Sequence, residues 1–199
     1  MIGLILAGGK SQNLHLHGEL TTLSTPGGKT MAQLAYSKLT ELALTTYLSV
    51  RRVQPDDLQR TADIPVILDN SSIHAEGPLL GLLSAHRKFP MDDIFLLACN
   101  MPLIKTAYLH DLFDLWLDKI SDIYVYQKSG RAVPFCGIYS FQALRQMDKM
   151  VSLSQKKETS LQYYIQRLNT CYMHIPEEAA SMLQLINSEE ELSQLIPGS

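Results

Sequence analysis

The sequence predicts a three-layer α/β domain in which helices cover both faces of a mostly parallel sheet. Three observations carry this. Apolar runs of strand length alternate with stretches of helical periodicity along the 199 residues. The first run, Ile2 to Leu6, ends in the small residues Ala7-Gly8-Gly9. Four segments placed where strands end, Leu6 to Gly9, Ser49, Asp69 and Cys99 to Pro102, converge on one edge of such a sheet. Open α/β sheets bind ligands at that edge.

The elements follow in order. Ile2 to Leu6 is a buried strand by its β-branched apolar content. Its turn, with Lys10 and Ser11 beyond, suits a phosphate or nucleotide cradle of backbone N–H groups, or simply a tight turn that needs small residues. Ser11 to Gly28 is a long polar loop. At its end Gly28-Lys29-Thr30 imitates the end of a P-loop, but Leu23 holds the required first glycine position and no strand precedes it. Met31, Leu34, Ala35, Leu39 and Leu42 recur at helical spacing and predict a helix over 31–44. Tyr47 to Val50 reads as a strand, 55–61 as a short helix, and Ile64 to Leu68 as a short strand.

Gly77-Pro78 opens a helix running to Lys88, with proline in the first turn. Ile94 to Ala98 is the next strand. A helix follows over 106–120, with Leu109, Leu112, Phe113, Trp116 and Leu117 on one face. Ile123 to Tyr126 and Val133 to Tyr139 are strands around a Ser129-Gly130 turn and suggest an antiparallel addition. Helices over 141–150 and 160–168, a strand over 172–175, and a helix over 189–195 behind a Ser188 cap complete one domain, 1–199, without repeats or interior linkers.

Composition narrows the function classes. Hydrophobic residues make up 46% and charged residues 19%, as in an ordinary globular chain. A net charge of −3 gives no electrostatic case for nucleic acid or an anionic membrane. No apolar stretch approaches a membrane span. Cys99, Cys136 and Cys171 lack metal-ligand spacing and read as reduced core thiols of a cytoplasmic protein. Any phosphate chemistry therefore rests on a few placed cations.

Five motifs, in order, resemble those of the MobA family: Leu6-Ala-Gly-Gly9, Gly77-Pro-Leu-Leu-Gly81, Cys99-Asn-Met-Pro102, Pro134-Phe-Cys-Gly-Ile-Tyr139 and Ile186-Asn-Ser-Glu-Glu-Glu-Leu192. The resemblance covers nearly the whole chain. It implies a Rossmann-like nucleotidyltransferase fold and transfer of GMP from GTP to molybdopterin, with Mg²⁺, releasing pyrophosphate. Carried over by position, Leu6, Ala7, Gly8 and Gly9 hold the nucleotide, with Gly77 and Pro78 walling the pocket. Ser49 stands where the family has a strand-end asparagine near the guanosine, and Asp69 matches its strand-end aspartate. Without the resemblance Asp69 reads as a turn or helix cap. Asn100 falls at the magnesium aspartate, as both catalytic and metal position. Molybdoenzyme maturation proteins are the implied partners.

The departures fall on the chemistry. At ungapped positions the family's phosphate-contacting arginine becomes Asn13, its lysine Glu19 and its metal-binding aspartate Asn100. Pyrophosphate release builds negative charge that enzymes meet with Arg, Lys and Mg²⁺. Losing one charge-assisted hydrogen bond costs about 1.5–3 kcal/mol. A glutamate there adds repulsion of about 4 kcal/mol at 4 Å for an effective dielectric near 20. The loop from Ser11 to Gly28 is slightly longer than the family's, which leaves room for Lys10 or Lys29 to supply the missing charge. Lys10 is thus the candidate catalytic cation and Arg131 a candidate facing the second substrate. His15 and His17 read first as loop residues, and His74, His86, His110 and His174 as scattered residues without ligand roles. Three expectations stay open: weak or altered guanylyl transfer, a silent homologue that binds nucleotide, cofactor or a protein partner, and transfer of another nucleotide such as CMP.

Overall fold

The computed structural model describes residues 1–7, 28–51, 64–154, 160–188, 190, 191 and 194. Among these, seven strands form one sheet: β1 (Ile2–Leu6), β2 (Thr46–Val50), β3 (Val66–Leu68), β4 (Ile94–Ala98), β5 (Ile123–Lys128), β6 (Arg131–Tyr139) and β7 (Thr170–His174). Their order is β3-β2-β1-β4-β6-β5-β7. Every pairing is parallel except those of β6, which runs antiparallel between β4 and β5. The helices are α1 (Met31–Glu41), α2 (Gly77–Lys88), α3 (Thr106–Leu117), α4 (Phe141–Leu153) and α5 (Leu161–Ile165), with a 3₁₀ helix over Glu177–Leu183.

Strand alternation divides the core in two. Leu4, Ile94, Leu96, Ile123 and Val125 point to the face covered by α2, α4 and α5. Their neighbours Ile5, Phe95, Leu97, Tyr124 and Tyr126 point to the face covered by α1 and α3. Both faces being covered, the central strands are apolar throughout, and β4 is buried along its whole length. This is the expected three-layer α/β Rossmann-like fold.

Local chemistry sets the boundaries. Thr30 and Gln33 form a reciprocal capping box on α1, the Gln33 amide donating to Thr30 Oγ1 at 3.1 Å and the Thr30 amide to Gln33 Oε1 at 2.9 Å. The helix ends at Glu41, not Leu44, because Ala43 takes a left-handed φ of 58°. Likewise α3 stops at Leu117, not Ile120, ahead of Lys119 at φ 53°. Leu117 leaves the expected apolar face and is 56% exposed. The third strand shrinks to Val66–Leu68, leaving buried Ile64 before it.

Other corrections follow from pairing. The β5–β6 hairpin extends to Lys128 and Arg131, so its ladder continues up to the Ser129-Gly130 turn. Helix α4 runs on to Leu153, where Val151 still faces the core. The helix over 160–168 reduces to Leu161–Ile165, after which the Thr170 hydroxyl donates to the Ile165 carbonyl at 2.7 Å. The last strand is Thr170–His174, in register with β5. Cys99 and Cys136 are buried, their thiols pushed up to about 12 by burial. Cys171, expected in the core, is only half-buried because β7 is an edge strand. The helix at 55–61 lies outside the described residues, as does much of 189–195, although the Glu191 amide donates to Ser188 Oγ at 3.1 Å as a cap requires.

Candidate functional site

The sheet order creates a place for a site. From β1 the chain moves outward to β2 and β3, then returns to the other side of β1 as β4. The crevice outside the carboxyl ends of β1 and β4 is therefore a topological switch point, where open α/β sheets take ligands. Leu6 stands level with Ser49 on one side and Ala98 on the other. The Ala7 amide donates to the Ser49 carbonyl at 3.0 Å and the Cys99 amide to the Leu6 carbonyl at 3.1 Å. These bonds tie the ends of three strands into one floor.

Ser49, buried at 2% exposure, donates from Oγ to Asp69 Oδ1 at 3.4 Å. Burial holds the Asp69 carboxyl above its ordinary range, opposed by the Ser49 hydroxyl and by Arg51. Gly81 of α2 lies directly against this pair. A Cβ there would stand 2.5 Å from Ser49 Oγ, 3.0 Å from Leu6 Cδ2 and 3.6 Å from Asp69 Oδ1. Gly77 sits one turn earlier on the same helical face, at φ 60°, and Pro78 fills the first turn. Thus Leu6, Ser49, Asp69 and Gly81 meet at one edge, whereas among the described residues a Cβ on Gly77 would meet nothing within 4 Å. An ionised carboxylate is acceptor-only, so Asp69 suits a ligand edge bearing adjacent N–H donors.

Asn100 stands across the switch point, in the turn after β4. Its carbonyl accepts from the Ile186 amide at 2.8 Å, and its Nδ2 donates to Asn187 Oδ1 at 3.1 Å. Asn187 is in turn held by Glu191, whose Oε2 accepts from its amide at 2.7 Å. The C-terminal segment therefore clamps the turn. Lys38 of α1, only 8% exposed, donates to the Pro102 carbonyl of the same turn at 2.7 Å. Burial lowers its ammonium to about 8, against the pull of Cys136 and Glu41.

Arg131 is exposed at the β5–β6 hairpin, at the same end of the sheet as Asn100 because β5 runs parallel to β1 and β4. Lys128 beside it donates to the Ala180 carbonyl at 3.0 Å. Gly8, Gly9, Lys10, Asn13, His15, His17 and Glu19 lie outside the described residues. Among the described residues no three His, Cys, Asp or Glu side chains group as a metal site, and no helix is long and apolar enough to cross a membrane. A cavity of about 420 Å³ opens beside β3, lined in part by Ile67, Ser84 and Arg87. Its Arg87 is already engaged by Asp148 at 2.9 Å.

Pattern reading passed over Lys38 and took Gly81 only as the end of the Gly77-Pro-Leu-Leu-Gly81 motif, without its contacts. Each had a signal. Gly81 repeats Gly77 at one-turn spacing, and Lys38 interrupts the apolar stripe of Met31, Ala35 and Leu39.

Residues 3–170 match the model of the MobA-like NTP transferase domain. A "probable molybdenum cofactor guanylyltransferase" of Geobacillus sp. (strain WCH70) is 24% identical over 178 residues, 89% of this chain and 86% of that protein. Among solved structures, molybdopterin-guanine dinucleotide biosynthesis protein A of Archaeoglobus fulgidus superposes with a TM-score of 0.76 at 19% identity, covering 96% of this chain and 95% of that one. A cytidylyltransferase of Leptospira borgpetersenii superposes at 0.68 and 16% identity, covering 98% and 84%. The chain belongs to the MobA-like NTP transferase family.

Proposed function

We propose that this member of the family transfers GMP from GTP to a molybdopterin-type cofactor, releasing pyrophosphate, with weak or altered activity. The observation that carries the base assignment is the Ser49–Asp69 pair beneath the bare Gly81 backbone. Guanine presents two adjacent N–H donors on one edge, which a carboxylate accepts together, whereas the cytosine edge sets one donor beside an acceptor. Leu6 and Ala7 lead toward Gly8 and Gly9, which the family motif assigns to the phosphates. Gly77 and Pro78 wall the base side.

In the transfer, an acceptor phosphate oxygen attacks the α-phosphorus of GTP. The bond to the bridging β-phosphate oxygen breaks, and pyrophosphate leaves with the electron pair. Lys10 is the cation assigned to that leaving charge, and Arg131 the one assigned to the anionic acceptor. Mg²⁺ usually takes one or two carboxylates besides substrate phosphates, and in the turn after β4 the sequence supplies the neutral Asn100 instead. Asn100 offers one neutral oxygen, its nitrogen being committed to Asn187. Magnesium therefore enters as part of the nucleotide substrate. We place the reaction in the cytoplasm, where thiols stay reduced, with molybdoenzyme maturation proteins as the recipients of its product.

The same Asn100 observation favours the second reading, a homologue that binds nucleotide or cofactor without turnover. Calorimetric titration with GTP and CTP, with and without Mg²⁺, separates the two when pyrophosphate release with molybdopterin is followed on the same preparation. Magnesium-strengthened GTP binding with turnover that drops in Lys10→Ala supports the transferase. Binding indifferent to metal, without turnover, supports the silent homologue. Preference for CTP overturns the base assignment.

A further inference from the structure

Lys38 carries a cost that an apolar residue at its position would avoid. It occupies a core-facing position of α1 between Ala35 and Leu39, both of which are buried. A methionine or leucine there would extend the apolar stripe. Burying an ammonium instead forfeits its hydration, which a single carbonyl contact offsets only in part. Long charged side chains on such faces ordinarily run their heads out to water. Lys38 does the opposite and sends its Nζ to the Pro102 carbonyl at 2.7 Å.

That carbonyl belongs to the turn bearing Asn100. The amino half of the turn is fixed by the Cys99 amide on the Leu6 carbonyl, and the Asn100 carbonyl and side chain are held by Ile186 and Asn187. Met101 and Ile104 plug the core beneath it. Lys38 fixes the carboxyl half, linking α1 to the switch-point crevice. We propose that Lys38 is a positioning residue for the transfer step, its ammonium setting where Asn100 stands against the phosphates of the nucleotide. The assignment rests on the transferase reading above. Base recognition at Ser49 and Asp69 lies on the far side of the crevice and does not depend on it. Loss of Lys38 therefore lowers the rate of transfer and spares nucleotide affinity, because misplacement of an assisting group by about 1 Å costs up to roughly a hundredfold in rate.

The test compares Lys38→Met, which keeps length and volume, with Lys38→Arg, which keeps a cationic donor. Thermal melting checks folding, calorimetry gives the GTP Kd, and pyrophosphate release gives kcat. The expected result is a kcat at least about tenfold lower in Lys38→Met, a Kd within about threefold of wild type, and substantial recovery of kcat in Lys38→Arg. Unchanged kcat in Lys38→Met, a parallel loss of affinity and rate, or no recovery in Lys38→Arg overturns the role. Should Lys38→Met fail to fold, Lys38→Gln replaces it: its shorter neutral donor lowers kcat at constant Kd if the proposal holds, and leaves both unchanged if it does not. A wild-type protein that binds GTP but releases no pyrophosphate overturns the transferase reading and this role with it. A wild type that turns over beside an equally active Lys38→Met overturns the role of Lys38 alone.

Discussion

The two ends of the sheet are built to different rules. At the amino end, polar groups close on one another. Asp93 accepts from the Trp116 indole and the Phe141 amide at 2.9 Å each, and from Lys119 at 3.4 Å. The Met1 ammonium pairs with Asp92 at 3.1 Å. Ser140 caps α4 and donates both its amide and its hydroxyl to Asp122. At the carboxyl end the bonds among the described residues are looser. Ser49 and Asp69 meet at a long 3.4 Å, Asp69 is held partly out of water, and among the described residues the Asn100 amide bonds through its nitrogen. One end locks strands to helices; the other gathers the Ser49–Asp69 pair and the Asn100 turn at the edge proposed above for the nucleotide.

The sharpest way to break this comparison is to exchange what the ends do. Asp93→Ala strands an indole N–H and a helix N-terminal amide, and is expected to cost about 3 kcal/mol of stability, a fall of roughly 6–12 °C in Tm. Calorimetry at a temperature where the variant stays folded should show unchanged GTP affinity. A large affinity loss there would abolish the distinction. Asp69→Asn should do the reverse. Its carboxyl is raised by burial, so the ionised form opposes folding: stability is greatest below the ordinary carboxylate pKa and declines as pH rises through the folded value. At pH 7 the amide should leave Tm equal or higher while weakening GTP binding by roughly ten- to a hundredfold.

Gly81→Ala sharpens the boundary between packing and binding. Alanine gains up to about 1 kcal/mol of helix propensity, yet its Cβ meets Ser49 Oγ at 2.5 Å. A small Tm change with GTP affinity weakened severalfold is expected; unchanged affinity would remove Gly81 from the site. The smallest effect belongs to His86 on α2, away from either end. Its buried Nδ1 has no hydrogen-bond partner among the described residues, and burial lowers its pKa despite the pull of Asp148, with Arg87 and Arg145 lowering it further. The unfolded chain then binds the proton more tightly. Stability from this group is complete above the ordinary value near 6.5 and falls as pH drops below it. His86→Phe should flatten that part of a Tm-against-pH curve.

Much of the fold was legible in the residues themselves. Strand runs, capping residues and turn glycines act over a few positions, so Ile2–Leu6, Gly77–Lys88 and Ile94–Ala98 emerge from the sequence with their observed ends. Errors gathered where a long-range partner decides. Ala43 and Lys119 end helices in a left-handed conformation that their identity does not announce. Pairing with β5 moved the last strand to Thr170, and the 3₁₀ helix over Glu177–Leu183 carries too little periodicity to be read. At the candidate site, Leu6, Ser49, Asp69 and Asn100 could be placed at strand ends by counting, whereas Gly81 and Lys38 could not be given their partners.

The sequence by itself determined the alternation of strands and helices, the two-faced burial, and the set of residues delivered to one edge, since these depend on periodicity and on local turn chemistry. The tertiary structure decided which of those residues meet. Only folding brings Ser49 to Asp69 across 20 positions, Lys38 to Pro102 across 64 and Asn100 to Asn187 across 87. Contacts of that span depend on strand order and on the depth at which each helix packs, quantities that no local pattern encodes.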